Sequence, residues 1–98
     1  MARIRTTRWD PAQHLRTEAQ RAAYLEAAFE DGDPSVVAAA LGDIARAKGM
    51  TEVATLAGLG RESLYKALSE TGNPELSTVL KVVRALGLQL RAVPAKTA

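Results

Sequence analysis

The chain has 98 residues, a formal net charge of +2 at pH 7, and 47% hydrophobic residues, of which few are aromatic. This length suits one small domain, and a composition rich in Ala, Leu and Val favours an all-α core over a sandwich or an enzyme with a deep aromatic pocket. The absence of cysteine excludes disulfides and thiolate metal sites. The sequence has no apolar run that could cross a bilayer and no signal-peptide pattern, so we expect a cytoplasmic protein.

Charge is distributed unevenly along the chain. Residues 1–8 carry three arginines and no acid, residues 10–33 carry two basic and six acidic side chains, and residues 34–98 carry eight basic and five acidic ones. A basic body suits contact with phosphates, and an acidic segment suits a basic protein partner. Ordinary surface charge is the alternative for each segment.

The first long helix has clear start and stop signals. Thr17 and Gln20 fit a capping box, in which each residue satisfies a backbone N–H of the other. An apolar face follows to about Asp31, and Gly32 is expected to end the helix.

The next two helices are also marked by their ends. Asp33 and Pro34 predict an N-cap and a first helical position. Gly49 is expected to close this helix, and Thr51 to cap the one that follows.

Residues 51–70 have the spacing of a helix-turn-helix. Ala54 is small enough for a second helix to cross closely, and Gly58 can adopt the left-handed conformation that ends the first helix. Leu64 and Leu68, four residues apart, form the inner stripe of the second helix. This motif places a short helix in the major groove of DNA.

The second helix, over about residues 61–69, turns a polar face outward. Arginine can bind a guanine edge in a bidentate manner, lysine and serine reach phosphates, and tyrosine offers a ring and a hydroxyl. The candidate DNA contacts on this helix are Arg61, Glu62, Ser63, Tyr65, Lys66 and Ser69. The alternative is a helical hairpin that only packs and leaves its charges solvated.

The C-terminal part predicts one more helix and a short strand. The helix has an apolar stripe of Leu76, Val79, Leu80, Val83 and Leu86. Residues 88–93 alternate in polarity, which predicts a β-strand. Because a lone strand leaves its backbone groups unpaired, we expect it to pair with a second copy and form a homodimer. A frayed tail is the alternative.

Four segments carry a resemblance to a known family: ALGDIARAKGM (40–50), GRESLYKAL (60–68), GNP (72–74) and TVLKVVRALGL (78–88). The chain resembles the HigA-like addiction-module antidote family, within the Cro/C1-type helix-turn-helix superfamily, over about residues 10–91. The resemblance implies an all-α, five-helix, lambda-repressor-like domain with an N-terminal helical extension and a short C-terminal strand. It also implies an antitoxin that blocks a RelE/HigB-like toxin and, as a dimer, represses its own operon by binding double-stranded operator DNA.

The resemblance also assigns roles to residues. Arg61 matches a base-edge contact, and Lys48, Lys66 and Lys81 match phosphate contacts. Glu62 would accept from a cytosine amino group or pair with Lys66 four residues on. Toxins of the RelE type bind RNA and are basic, so acidic side chains of the extension are candidates for covering one. These are Glu18, Glu26, Glu30, Asp31 and Asp33.

We therefore expect an arm and helical extension over residues 1–33, a DNA-binding domain over residues 34–93 and a tail over residues 94–98. The sole histidine, His14, has no cysteine or second histidine to form a catalytic or metal site, so no enzyme activity, metal or cofactor is expected.

Two alternatives to the antitoxin function remain. One is a stand-alone phage-type repressor without a toxin, and the other is an adaptor that has lost DNA binding. The length of the extension favours the antitoxin over a minimal repressor.

Overall fold

The computed structural model describes residues 14–69 and 71–96, and five α-helices lie entirely within these ranges. They are α1 (Glu18–Asp31), α2 (Pro34–Lys48), α3 (Met50–Ala57), α4 (Arg61–Ala67) and α5 (Leu76–Ala85). The described residues are therefore all-α, as predicted. No helix within them is both long and apolar enough to cross a membrane.

The capping box predicted at the start of α1 is confirmed. The Gln20 amide donates to Thr17 Oγ1 at 3.1 Å, and the Thr17 amide donates to Gln20 Oε1 at the same distance. These two bonds satisfy N–H groups that have no partner inside the helix. At the other end, Gly32 adopts φ 82° and donates its amide to the Ala28 carbonyl, which closes the helix as predicted.

Helix α2 begins as predicted, but α3 does not. Asp33 caps α2 by accepting from the Ser35 amide at 2.9 Å. The cap predicted at Thr51 is wrong, because α3 already begins at Met50 and Gly49 is its N-cap. Gly49 has φ 121°, so the chain turns sharply there and the next helix starts at once, without a side-chain cap.

Side chains from all five helices meet in one buried cluster. Leu25 and Ala28 of α1 belong to it, so the extension shares its core with the rest of the described chain. Burying each large apolar side chain contributes about 1.5–3 kcal/mol, which makes this cluster the main stabilising feature. The largest fully buried members are Leu15, Leu41, Ile44, Val53, Leu64, Leu68, Val82 and Leu86.

A glycine sets how closely α2 approaches the end of α4. A Cβ atom built on Gly42 would lie 2.7 Å from the backbone carbonyl oxygen of Leu68. Real Cβ atoms are not found that close to a carbonyl oxygen. Gly42 therefore permits a crossing that any larger residue would obstruct.

The predicted C-terminal β-strand is not confirmed, because residues 71–96 and the other described residues contain no strand. Leu88 packs against the core, whereas Leu90 and Val93 are exposed. The physical reason is that strand backbone groups need a neighbouring strand, and the described chain offers none.

The apolar stripe predicted for α5 is correct only in part. Val79, Val83 and Leu86 are buried, but Leu76 and Leu80 are 69% and 46% exposed. The core takes Val82 in their place, which rotates the buried face of the helix away from both leucines.

Candidate nucleic-acid interface

Helices α3 and α4 are joined by a three-residue turn built as the sequence predicts. Gly58 adopts φ 72° and ψ 31°, and it donates its amide to the carbonyls of Ala54 and Thr55 in the last turn of α3. Leu59 donates its amide to the Ala54 carbonyl at 2.9 Å and packs partly against the core. Ala54 is itself buried. The left-handed glycine and the inward leucine together fix the direction in which α4 leaves the turn.

Helix α4 has one buried face and one exposed face. Leu64 and Leu68 have relative exposures of 0% and 1%, so they hold the helix against the core as predicted. The candidate side chains on the exposed face are Arg61, Glu62, Ser63, Tyr65 and Lys66. Ser69 differs from them, since it is half-buried and its hydroxyl donates to the Lys66 carbonyl at 3.0 Å.

Arg61 and Tyr65 interact on this exposed face. Arg61 Nη2 donates to Tyr65 Oη at 3.3 Å, and Arg61 Cζ lies 5.4 Å from the centroid of the Tyr65 ring. This geometry combines a hydrogen bond with a cation–π contact. It keeps the guanidinium on the outer surface of α4, where a base edge could be reached.

Glu62 and Lys66 do not pair with one another. Among the described residues the ion pairs are Arg46–Asp43 at 2.9 Å and Lys48–Glu52 at 4.0 Å. Both side chains of the predicted Glu62–Lys66 pair are therefore available to solvent or to a ligand.

A polar recess lies beside Lys66 at the C-terminal end of α4. Serine and threonine hydroxyls and an amide line it, and Ser69 Oγ lies 3.3 Å from Thr71 Oγ1. The Ser69 hydroxyl already donates to the Lys66 carbonyl, so the Lys66 ammonium group and the Asn73 amide are the donors here of the kind that proteins use for phosphate oxygens. The lining residues are Ser63, Lys66, Ala67, Ser69, Thr71, Gly72 and Asn73.

The two lysines predicted outside α4 lie on other helices. Lys48 is the last residue of α2, and Lys81 lies midway along α5. Lys81 borders a shallow cleft between α3 and α5 together with Leu56, Leu80 and Arg84. Sequence reasoning missed Arg84, although its position three residues after Lys81 places both cations on one side of a helix.

The acidic candidates of the extension are all exposed, but the structure does not bring all five together, because Glu18 lies apart from the others. Glu18, at the start of α1, lies beside Gly87, where its Oε2 would be 2.7 Å from an added Cβ atom. Glu30 lies 12 residues further along the same helix, about 18 Å away at the usual helical rise. The remaining acids, Asp31 and Asp33, are at the α1–α2 turn.

Asp33 is held in place by its capping role. Its Oδ1 accepts from both the amide and the hydroxyl of Ser35, each at 2.9 Å. These hydrogen bonds, the backbone one first, lower the pKa of the Asp33 carboxyl from its usual value. Its negative charge therefore persists into more acidic solution than that of an ordinary aspartate.

Within residues 14–69 and 71–96 no three His, Cys, Asp or Glu side chains are grouped so that they could hold a metal ion.

Comparison with known proteins identifies relatives of the chain. Residues 5–94 match the profile of a protein family described as probable addiction module antidote protein. A protein of Haemophilus influenzae, described as uncharacterized, is 47% identical over 83 residues, which span 85% of this chain and 86% of that relative. No solved structure matches the chain.

Proposed function

The chain belongs to the probable addiction module antidote protein family, and from this membership we propose that it neutralises a RelE/HigB-like toxin and represses its own operon. An antidote of an addiction module is the antitoxin of a toxin–antitoxin pair, so a toxin is the partner that the family implies. In this proposal the chain acts by binding alone, without catalysis or cofactor. Toxin and operator DNA bind to different helices of the same small domain.

The exposed face of α4 is the observation that carries the DNA-binding part of the proposal. A seven-residue helix fits the major groove, and its inner leucine fixes which side chains face outward. Arg61 donates to a guanine edge in this arrangement, while Lys66 and the polar recess beside it bind phosphate oxygens. Lys48 and Lys81 add phosphate contacts from the neighbouring helices.

Repression as a dimer requires a surface for a second copy. Two surfaces support such pairing: residues 89–93, which have no regular secondary structure and no neighbouring strand in the described chain, and the outer side of α5. Leu76 and Leu80 expose apolar area on that side. A two-fold pairing sets two copies of α4 about one DNA turn apart, the spacing that helix-turn-helix dimers use.

Acidic side chains of α1 and of the α1–α2 turn provide the toxin-binding part of the proposal. RelE-like toxins bind RNA and are basic, so carboxylates on the antitoxin complement their charge. The second half of α1 and the α1–α2 turn carry Glu26, Glu30, Asp31 and Asp33, whereas Glu18 lies at the opposite end of α1.

To test this function, the small protein encoded in the same operon is expressed in cells, first alone and then together with the chain. Growth arrest by that protein, relieved by the chain through a stable complex, is the expected result. The purified chain and complex are then tested on DNA from upstream of the operon, with Arg61→Ala as the variant and random DNA as the control. Arrest that the chain does not relieve would contradict the antitoxin role. Specific DNA binding in that case would favour a stand-alone repressor.

A further inference from the structure

The turn end of the α1–α2 hairpin exposes two large apolar side chains. Phe29 is 41% exposed and Val36 is 37% exposed. Phe29 precedes Gly32 by three residues and Val36 follows it by four, so the tight turn brings both to the same end of the hairpin. Phe29 is the only phenylalanine of the chain, and it is not part of the buried core. Aromatic side chains left at the surface are enriched among the residues that anchor protein interfaces.

All the charged side chains near this apolar pair along the chain are carboxylates. Between Arg21 and Arg46 the sequence has no lysine or arginine, but it has five acidic residues. Four of them, Glu26, Glu30, Asp31 and Asp33, lie within three residues of Phe29 or Val36. The cap at Ser35 holds the last of these in a defined position. The result is an apolar centre with a polar, negatively charged rim, which is the usual composition of an interface.

The charge of the rim selects among the ligands that such a surface could bind. DNA is disfavoured because its phosphates would face these carboxylates, and residues 22–45 contain no lysine or arginine to offset the repulsion. A second copy is disfavoured because a two-fold contact through this patch would set carboxylates against carboxylates. A protein with a basic surface and an apolar recess complements both the charge and the exposed aromatic ring.

We propose that Phe29 and Val36, with the carboxylates of Glu26, Glu30 and Asp33, form the docking surface for the toxin. This assignment rests on the proposed antitoxin function. Phe29 enters an apolar recess of the toxin, and the carboxylates pair with basic side chains around that recess. Glu18 lies at the far end of α1 and takes no part. Because α4 is not involved, one chain binds toxin and DNA through separate surfaces.

The test measures the affinity of purified chain for the toxin, defined as the protein of the same operon that arrests growth when expressed alone and forms a stable complex with the chain. Phe29→Ala is expected to weaken this affinity at least about tenfold, as truncating an interface anchor does. Leu56→Ala is the matched control, because Leu56 is a 60% exposed apolar side chain on α3. It is expected to change toxin affinity less than about twofold, the size typical of side chains outside an interface centre.

A second variant keeps the inference testable if Phe29→Ala folds poorly. Glu26→Lys with Glu30→Lys changes two exposed side chains of α1 and is expected to weaken toxin binding most at low salt. Toxin affinity near the wild-type value in both variants would overturn the docking surface while leaving the antitoxin function intact. Loss of self-association without loss of toxin affinity would also overturn it, in favour of a second copy. A wild-type chain that forms no toxin complex would instead refute the proposed function itself.

Discussion

The guanidinium of Arg61 lies against the side chain of Tyr65, four residues later on α4. The hydrogen bond between Nη2 and Oη is 3.3 Å long, and the carbon of the guanidinium is 5.4 Å from the ring centroid. A long arginine side chain loses rotamer freedom when it binds a base edge. Since Tyr65 already restrains the guanidinium, part of that entropy is lost before the proposed base contact forms.

For DNA recognition, Arg61→Ala is expected to cost about 1–3 kcal/mol at the operator and less on random sequence, because a base contact acts only at specific sites. Tyr65→Ala is expected to cost about 0.5–1 kcal/mol through the lost cation–π contact, and Tyr65→Phe less, because the ring remains. Fluorescence anisotropy with operator and random duplexes measures both effects. Equal losses on the two duplexes would make Arg61 a phosphate contact.

Lys66 is expected to behave differently from Arg61. Because it faces the polar recess at the end of α4, Lys66→Ala should weaken binding to all duplexes alike. The slope of log affinity against log salt concentration should fall in magnitude by about 1, as when one phosphate contact is lost. Lys96→Ala, in the exposed C-terminal segment, is the control. A salt slope equal to that of the wild type would place Lys66 away from the phosphates.

Because α2 approaches the end of α4 closely at Gly42, adding a single methyl group there is expected to lower the stability of the fold. Gly42→Ala sets a Cβ atom against the Leu68 carbonyl oxygen, a backbone atom that cannot swing aside. We expect a loss of about 1–3 kcal/mol in the free energy of unfolding, measured by urea denaturation.

Gly60→Ser is the matched control for Gly42→Ala. An added Cβ there meets only Ser63 Oγ at 3.8 Å, and Gly60 is the N-cap of α4 with no side-chain hydrogen bond. Serine should therefore supply a cap and stabilise the protein by about a few tenths of a kcal/mol. If Gly42→Ala is as stable as the wild type, α2 and α4 can separate without loss of packing.

Tyr24 forms a hydrogen bond that links α1 to α2, and it should make the free energy of unfolding depend on pH in alkaline solution. Its hydroxyl donates to Asp43 Oδ2 at 2.6 Å, and burial first, then the Asp43 carboxylate, raise the pKa of Tyr24 from 10.0 to about 12. The folded state thus favours the neutral phenol. The associated stability is complete below about pH 10 and is lost as the pH rises towards 12, because the unfolded chain ionises first.

The Tyr65→Phe variant leaves Tyr24 as the only tyrosine, so phenolate absorbance reports the pKa of Tyr24 directly. We also expect Tyr24→Phe to cost about 0.5–1.5 kcal/mol at neutral pH, the net worth of one hydrogen bond. That variant should lose the decline in stability between pH 10 and 12 that Tyr24 causes. A Tyr24 pKa near 10 would show that the contact with Asp43 does not persist in solution.

Local signals were enough to predict most helix ends and the inner face of α4. Thr17 with Gln20, and Gly32 and Gly58, act on backbone groups within a few residues of themselves, so their effect can be inferred without the rest of the fold. The stripe of Leu64 and Leu68 follows from helical periodicity alone. The polar side chains of α4 then necessarily face outward.

Contacts between distant residues could not be predicted in this way. Nothing near Gly42 in the sequence indicates that the Leu68 carbonyl lies against it, and nothing near Tyr24 indicates the bond to Asp43. The exposure of Leu80 was likewise missed, because several stripes on α5 satisfy the helical period and only packing against the other helices selects one.

The helical class, most of the helix boundaries and the chemical character of the α4 surface therefore follow from interactions between near neighbours in the chain. Which apolar side chains are left outside the core depends instead on packing between helices that are distant in the sequence. Phe29 and Leu80 are large and apolar like the buried leucines, yet they are 41% and 46% exposed. A protein core is close-packed, so which side chains fit inside it depends on how all the helices meet, and no short stretch of sequence contains that information.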